Sequence, residues 1–319
     1  MSKQIDYKKI RVPILTGSYF DLQKFNLSFK DIQILDIKSR AFDSYIKKLN
    51  PDSILYLNKI KKQTSKYDKK YAIVKIHPEK NFDYTELVNV WKILLIIFPS
   101  DLQIQHVIDY SLVDNHYEFV SLSSWPKNVT EQYPGNPLYT KDTEIAGINE
   151  FIKIVFDRLK CDNYIGIAIE NYITSFSSSH LHYQYLTLFM ALESIVHGPH
   201  ELTYRLKRSA AILCGEDPFN CEIIFDKINT LYELRSKIIH GENYSVSKVK
   251  EYLPYLEAIA SRVIIELLIH NIANIKDLNN TITRIGYGDR SKISQNWKAF
   301  QLNILTLSHA NWIRVKKKS

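Results

Sequence analysis

Cysteine, glycine and long apolar runs are all in short supply in this chain. Three cysteines in 319 residues, Cys161, Cys214 and Cys221, are an odd number with no CxxC or zinc-finger spacing. That pattern excludes a disulfide framework and a cysteine-held zinc, and it fits a reducing compartment. There are only nine glycines, and the first half of the chain has no glycine-rich phosphate loop and no paired acidic motif. Nucleotide-cradling chemistry is therefore not expected there. The most apolar run, Val88 to Phe98, is too short to span a bilayer and is closed by Pro99. The opening MSKQIDYKKI lacks the apolar core of a signal peptide. A cytoplasmic protein with no membrane partner is the expectation. No internal repeat or low-complexity tract stands out.

What is present reads as globular. Hydrophobic residues make up 45% and charged residues 24%, enough to bury a real core in one large domain or two smaller ones. The net charge is +8, which suits a polyanionic partner such as RNA. A lysine-solvated surface explains the same number equally well.

The chain divides in character. Over residues 1–125, strand-like runs at Ile10–Leu15, Ile32–Ile37, Ile54–Leu57, Tyr71–Ile76, Ile104–Ile108 and Tyr117–Leu122 alternate with Lys-, Asp- and Asn-rich connectors. Asp83 and Glu86 form a capping-box-like start for a helix ending near Phe98. This half predicts a small mixed α/β domain, possibly a sensor or ligand-binding one. Residues 126–143, rich in proline and without a sustained period, read as a linker. Residues 144–319 predict a helical domain, so the whole is α+β. Its helices are expected from Asp142 or Thr143 to Leu159, at Tyr164–Phe176, Leu181–Val196, Glu201–Leu213 and Cys221–His240, and from Ser247 to about Ile275. The terminal Lys316–Lys318 run reads as a solvated tail.

Two charged residues break the helical pattern. In the fifth helix Ile224, Ile228, Leu231 and Ile238 share one face, and Arg235 falls in its middle. A guanidinium there must be paired or kept wet. His240 ends the helix, with Gly241 as the left-handed stop, and a helix C-terminus favours a protonated imidazole. In the third helix Leu186, Phe189, Met190 and Glu193 share a face while Leu188, Leu192 and Ile195 fill the other, so that helix reads as buried nearly all round. Glu193 is then a core carboxylate that must pair, either with Arg235 or with Arg205 or Arg208. Such a pair does no more than fix register in many proteins.

The stretches YLTLFMALESIVHG (185–198), ELTYRLKRSAAILCG (201–215) and INTLYELRSKIIHG (228–241) occur in order at close spacing. Together they resemble an ApeA-like HEPN domain over roughly residues 145–275. The resemblance implies a helical bundle and a metal-independent endoribonuclease in which the Arg-x4–6-His motif, here Arg235 and His240, cuts RNA. It further implies a toxin or abortive-infection effector against phage, acting on tRNA or other RNA. From their places in the helical pattern, Ser236 and Glu193 are the expected supporting residues. Arg205, Arg208 and Lys237 are the expected RNA contacts. No cofactor or metal is implied. Ser236 stands where active members often have Asn or Asp. Glu242 stands where members switched off by a nucleotidyltransferase carry Tyr, with Tyr244 two residues further on.

The chemistry is compatible with that implication. Metal-free cleavage needs a group that exchanges protons near neutral pH and one that holds the phosphorane oxygens, the roles of imidazole and guanidinium. Positions five apart on a helix diverge by about 140°, so one protomer aims the pair poorly. A homodimer through this helix would bring two pairs to one groove. His180, His182, His197 and His200 lack acidic partners at ligand spacing, so no metal site is expected. Two alternatives stand beside the ribonuclease: an inert RNA-binding or partner-docking module, and a toxin–antitoxin component controlled by a separate protein; a phage-derived trigger or an antitoxin is the further partner expected.

Overall fold

The computed structural model describes residues 8–18, 20–47, 53–62, 69–76, 84–100, 102–113, 116–124, 142–159, 164–178, 180–196, 201–215, 217–272 and 274–285. The expected linker except for residues 142–143, Asp83, Cys161, His197, His200 and the Lys316–Lys318 run lie outside them. The chain is α+β: an antiparallel sheet with helices, followed by an all-helical region. It forms two compact units, one of residues 1–94, 100–127 and 135–145, the other of residues 95–99, 128–134 and 146–319.

In the first unit β1 (Lys8–Ser18), β2 (Ile32–Asp36), β3 (Lys69–Lys75), β4 (Gln103–Val113) and β5 (His116–Ser124) make one sheet, ordered β2-β3-β1-β4-β5, every pairing antiparallel. Strand alternation puts Val12, Ile14, Ala72, Val74, Ile108 and Tyr110 on one face. They pack with Phe42 of α1 (Arg40–Lys47) and with Leu57 and Ile60 of α2 (Ser53–Lys62). Ile54–Leu57, expected as a strand, therefore lies in a helix. Its apolar run continues at i+3 to Ile60, burying Leu57 and Ile60 while Leu55 is 70% exposed, a helical rather than an alternating pattern. The other face meets α3 (Tyr84–Ile97), where Lys75 Nζ binds Glu86 Oε2 at 3.0 Å and the Arg11 guanidinium lies 5.4 Å from the centre of the Tyr84 ring.

The second unit is built around α9 (Val246–Ile269), in which every residue from Tyr255 to Leu268 is buried. Packed against it are α5 (Tyr164–Ser175), α6 (Leu181–Glu193), α7 (Leu202–Cys214) and α8 (Pro218–Ile239). Ahead of these, α4 (Ile145–Val155) buries Ile148, Phe151, Ile152 and Val155. The long last helix expected to reach Ile275 is two. Asn271, at φ 50°, turns the chain out of α9, and α10 (Ile275–Ile285) follows. Arg158 Nη1 donates to the carbonyls of Leu268 and Ile269, both at 2.7 Å, satisfying acceptors that the end of α9 leaves open.

One expectation about α6 fails. It is not buried all round, since Met190 is 52% and Tyr183 56% exposed. Its covered side is Tyr185, Leu188, Phe189, Ala191 and Leu192. The other side faces solvent.

Candidate active site

The site is assembled where the ends of α6 and α8 meet. Asp217 caps α8, accepting the Asn220 N–H at 2.7 Å, and Pro218 takes the first helical position. Cys221, Ile224, Ile228, Leu231 and Leu234 are its buried residues, and helical projection sets Arg235 among them. Tyr185 on α6 donates its hydroxyl to the Leu231 carbonyl at 2.8 Å. Burial pushes the Tyr185 phenol well above its ordinary value, so it remains a donor. This bond and the edge-on packing of Phe189 against Tyr232, ring centres 6.1 Å apart, fix how α6 lies on α8.

That placement chooses the partner of Glu193. Arg235 Nη2 donates to Glu193 Oε2 at 3.0 Å, with the side chains 20% and 17% exposed. Arg205 is exposed on α7, and the half-buried Arg208 directs Nη2 toward the Ile282 carbonyl at 3.5 Å. The guanidinium carbon of Arg235 also lies 5.4 Å from the centre of the Tyr232 ring. The pair is half of a fork: Glu193 Oε1 and Arg235 Nε are both buried without a hydrogen-bond partner among the described residues. Glu193 is the last residue of α6, at the negative end of that helix. Burial pushes its carboxyl above the usual range, and the charge and hydrogen bond of Arg235 pull it only part of the way back.

His240 is placed by a different device. The Gly241 N–H donates to the Ile238 carbonyl at 3.3 Å and the Glu242 N–H to the Lys237 carbonyl at 2.9 Å, with Gly241 at φ 66°. These two bonds close α8 in a Schellman turn. The His240 N–H donates to the Ser236 carbonyl at 3.0 Å, and its imidazole, exposed, has no partner among the described residues. Arg235 and His240 thus leave the helix on different sides, as their spacing predicts. The structure brings Arg235 to Glu193 and brings His240 to neither.

The exposed ridge of α8 that leads up to His240 is acidic. Projected on α8, the exposed residues Glu222, Asp226, Thr230, Glu233, Lys237 and His240 fall on a single stripe. Lys237, an expected RNA contact, is the one cation on it, against three carboxylates. Ser236 is half-buried and Lys237 exposed, both in the last turn of α8. Arg205 and Arg208 lie on α7.

Sequence reading passed over the strongest buried charges in this unit. Arg262 Nε and Glu266 Oε1 pair at 2.9 Å with both side chains fully buried. Glu266 Oε2 meets His270 Nε2 at 3.0 Å, and Gln184 Nε2 donates to the buried Glu257 at 2.9 Å. The signal was a run of i, i+4, i+8 ionisable residues inside the otherwise apolar AIASRVIIELLIH. Fully enclosed, Arg262 and Glu266 set register and offer no open surface. Among the described residues no group of three or more His, Cys, Asp or Glu is placed to hold a metal ion. Cys214 and Cys221 are buried and not joined in a disulfide.

Among the described residues no helix is long and apolar enough to cross a membrane. The chain matches no protein-family model, no curated protein and no solved structure.

Proposed function

We propose that the chain is a metal-independent endoribonuclease whose groove is completed by a second copy of α8. The observation that carries this reading is the last turn of α8. It holds a guanidinium at the α6–α8 surface and, five residues on, an exposed imidazole at a rigid Schellman end. One helix alone cannot aim both at a phosphate, whereas a twofold through this turn supplies two of each. Exposed apolar side chains flank the ion pair, Met190 (52%) three residues before Glu193 and Ile239 (47%) four residues after Arg235, which suits contact with a partner surface.

In the proposed reaction an imidazole takes the proton from a ribose 2′-hydroxyl, whose oxygen attacks the adjacent phosphorus. Arg235 donates to the non-bridging oxygens as negative charge builds on them. The partner's imidazole protonates the departing 5′-oxygen. The products are a 2′,3′-cyclic phosphate and a 5′-hydroxyl. An antiviral toxin role and a tRNA target rest on the family resemblance alone. The test is RNA cleavage measured against protein concentration, with light scattering on the same samples. Activity should rise faster than linearly as dimer forms. Full activity from a protein that scatters as a monomer overturns the shared groove.

The acidic stripe favours a second reading, a docking module whose Arg235–Glu193 pair is a strut and whose α8 ridge meets a basic protein. Three carboxylates in line with His240 repel a phosphate chain laid along the helix. Under the ribonuclease reading RNA must approach across the last turn instead.

A further inference from the structure

The first turn of α6 carries three aromatic rings outside the core. His180 and His182 stack with centres 5.6 Å apart at 23°. Tyr183 sits 4.3 Å from His182 and edge-on to His180 at 5.8 Å. Tyr183 remains 56% exposed and His180 is exposed. No hydrogen bond or ion pair among the described residues engages either imidazole or the phenol. The rings contact one another, with His180 and Tyr183 exposed and His182 half-buried.

That chemistry suits a flat ring rather than an ion. Among the described residues no third His, Cys, Asp or Glu joins these two imidazoles to hold a metal ion. An open aromatic face stacks on any nucleobase, provided the base is unpaired. Tyr183 lies seven residues before Met190 and on the same stripe of α6, about 10 Å away along the axis. Glu193, and with it Arg235, is three residues beyond. The ring cluster therefore lies on the same side of α6 as Met190, about 10 Å from it along the axis, with Glu193 and its partner Arg235 beyond.

We propose that His180, His182 and Tyr183 form a base-stacking subsite that grips an unpaired nucleobase a few nucleotides from the cleaved bond, selecting single-stranded RNA. The proposal rests on the ribonuclease reading. The open face of Tyr183 receives the base, and the two imidazoles hold that phenol ring in place. Duplex RNA, its bases stacked on one another, offers no face to the cluster.

The test uses full-length His240→Ala protein, which leaves RNA uncut. Binding is followed with a single-stranded RNA of about ten nucleotides carrying 2-aminopurine, and with a hairpin duplex of the same composition. One lost base stack corresponds to a roughly 5- to 150-fold weaker Kd. Tyr183→Ala should weaken single-strand binding within that range and abolish the change in 2-aminopurine fluorescence. Tyr183→Phe should retain both, and the melting temperatures of the two variants should match that of the parent. Tight binding unchanged by Tyr183→Ala, or equal affinity for the duplex, overturns the subsite and leaves the ribonuclease reading standing. No binding of either RNA by the parent overturns both.

Discussion

Deleting Glu193 separates the two readings of Arg235. In Glu193→Ala the guanidinium, four-fifths covered in the wild type, loses its carboxylate at 3.0 Å. Breaking a fully buried pair by removing one partner costs about 3–5 kcal/mol, and an exposed pair is worth about 0–1 kcal/mol. At this burial, with a single hydrogen bond and Tyr232 still beneath the charge, the expected cost is about 2 kcal/mol. Arg235→Ala should cost a similar amount, because it strands a carboxylate that burial already disfavours. The two losses share one contact, so the double variant should be more stable than their sum predicts by about 1–2 kcal/mol. Urea melts of the wild type, both single variants and the double variant measure the cycle. A coupling below about 0.3 kcal/mol refutes the strut. Acidity supplies a check on sign. The folded Glu193 carboxyl lies above its ordinary value, so its ionisation costs stability. Relative to Glu193→Gln, the wild type should lose stability as pH rises from the ordinary carboxylate value through the raised one.

Three further outcomes are expected. Burial, then the Lys70 ammonium, lowers the pKa of His106 from 6.5 to about 4. Above pH 6.5 it is neutral in both folded and unfolded chains, and as pH falls toward 4 only the unfolded chain takes up the proton. The sheet unit should therefore lose about 3 kcal/mol over that window, a loss that His106→Gln flattens in pH-dependent melts. Gly241→Ala meets open space but holds a side chain at φ 66°, so it should cost about 1 kcal/mol. Gly215→Ala puts a Cβ 2.4 Å from Cys221 Sγ and 2.9 Å from the Cys221 nitrogen and should cost about 2 kcal/mol or more; equal melting temperatures for the two glycine variants would contradict this contrast. RNA cleavage should survive EDTA and leave 2′,3′-cyclic phosphate ends, and a chelator-sensitive activity restored by Mg²⁺ would point to a metal nuclease instead.

How far the sequence reached depends on which interactions are local. Helical period and a glycine stop placed α8, Arg235 on its inward face and His240 at its end, because each rests on residues a turn or two apart. The partner of Arg235 was not legible: Arg205, Arg208 and Arg235 compete for Glu193 on equal terms until the crossing of α6 over α8 is known. That crossing depends on Tyr185 and Leu231, which are 46 residues apart. Exposure of Met190 and Tyr183 was hidden for a related reason, since a helix apolar on both sides reads as buried. Ile54–Leu57 misled because four apolar residues fit either period, and α1 escaped notice with Phe42 as the residue it gives to the core. Arg262 and Glu266 were overlooked because i, i+4 charges usually mark a wet face.

In the proposed ribonuclease the last turn of α8 cuts RNA. The most direct measurement compares purified wild type and His240→Ala on the same RNA in the presence of EDTA, with thermal melts of both proteins. The imidazole is exposed and without a partner among the described residues, so its removal should leave the melting temperature within a degree or two, about 0.5 kcal/mol or less. The predicted result is cleavage by the wild type and none by a normally folded His240→Ala. A variant that folds normally and cuts as well as the wild type contradicts the assignment.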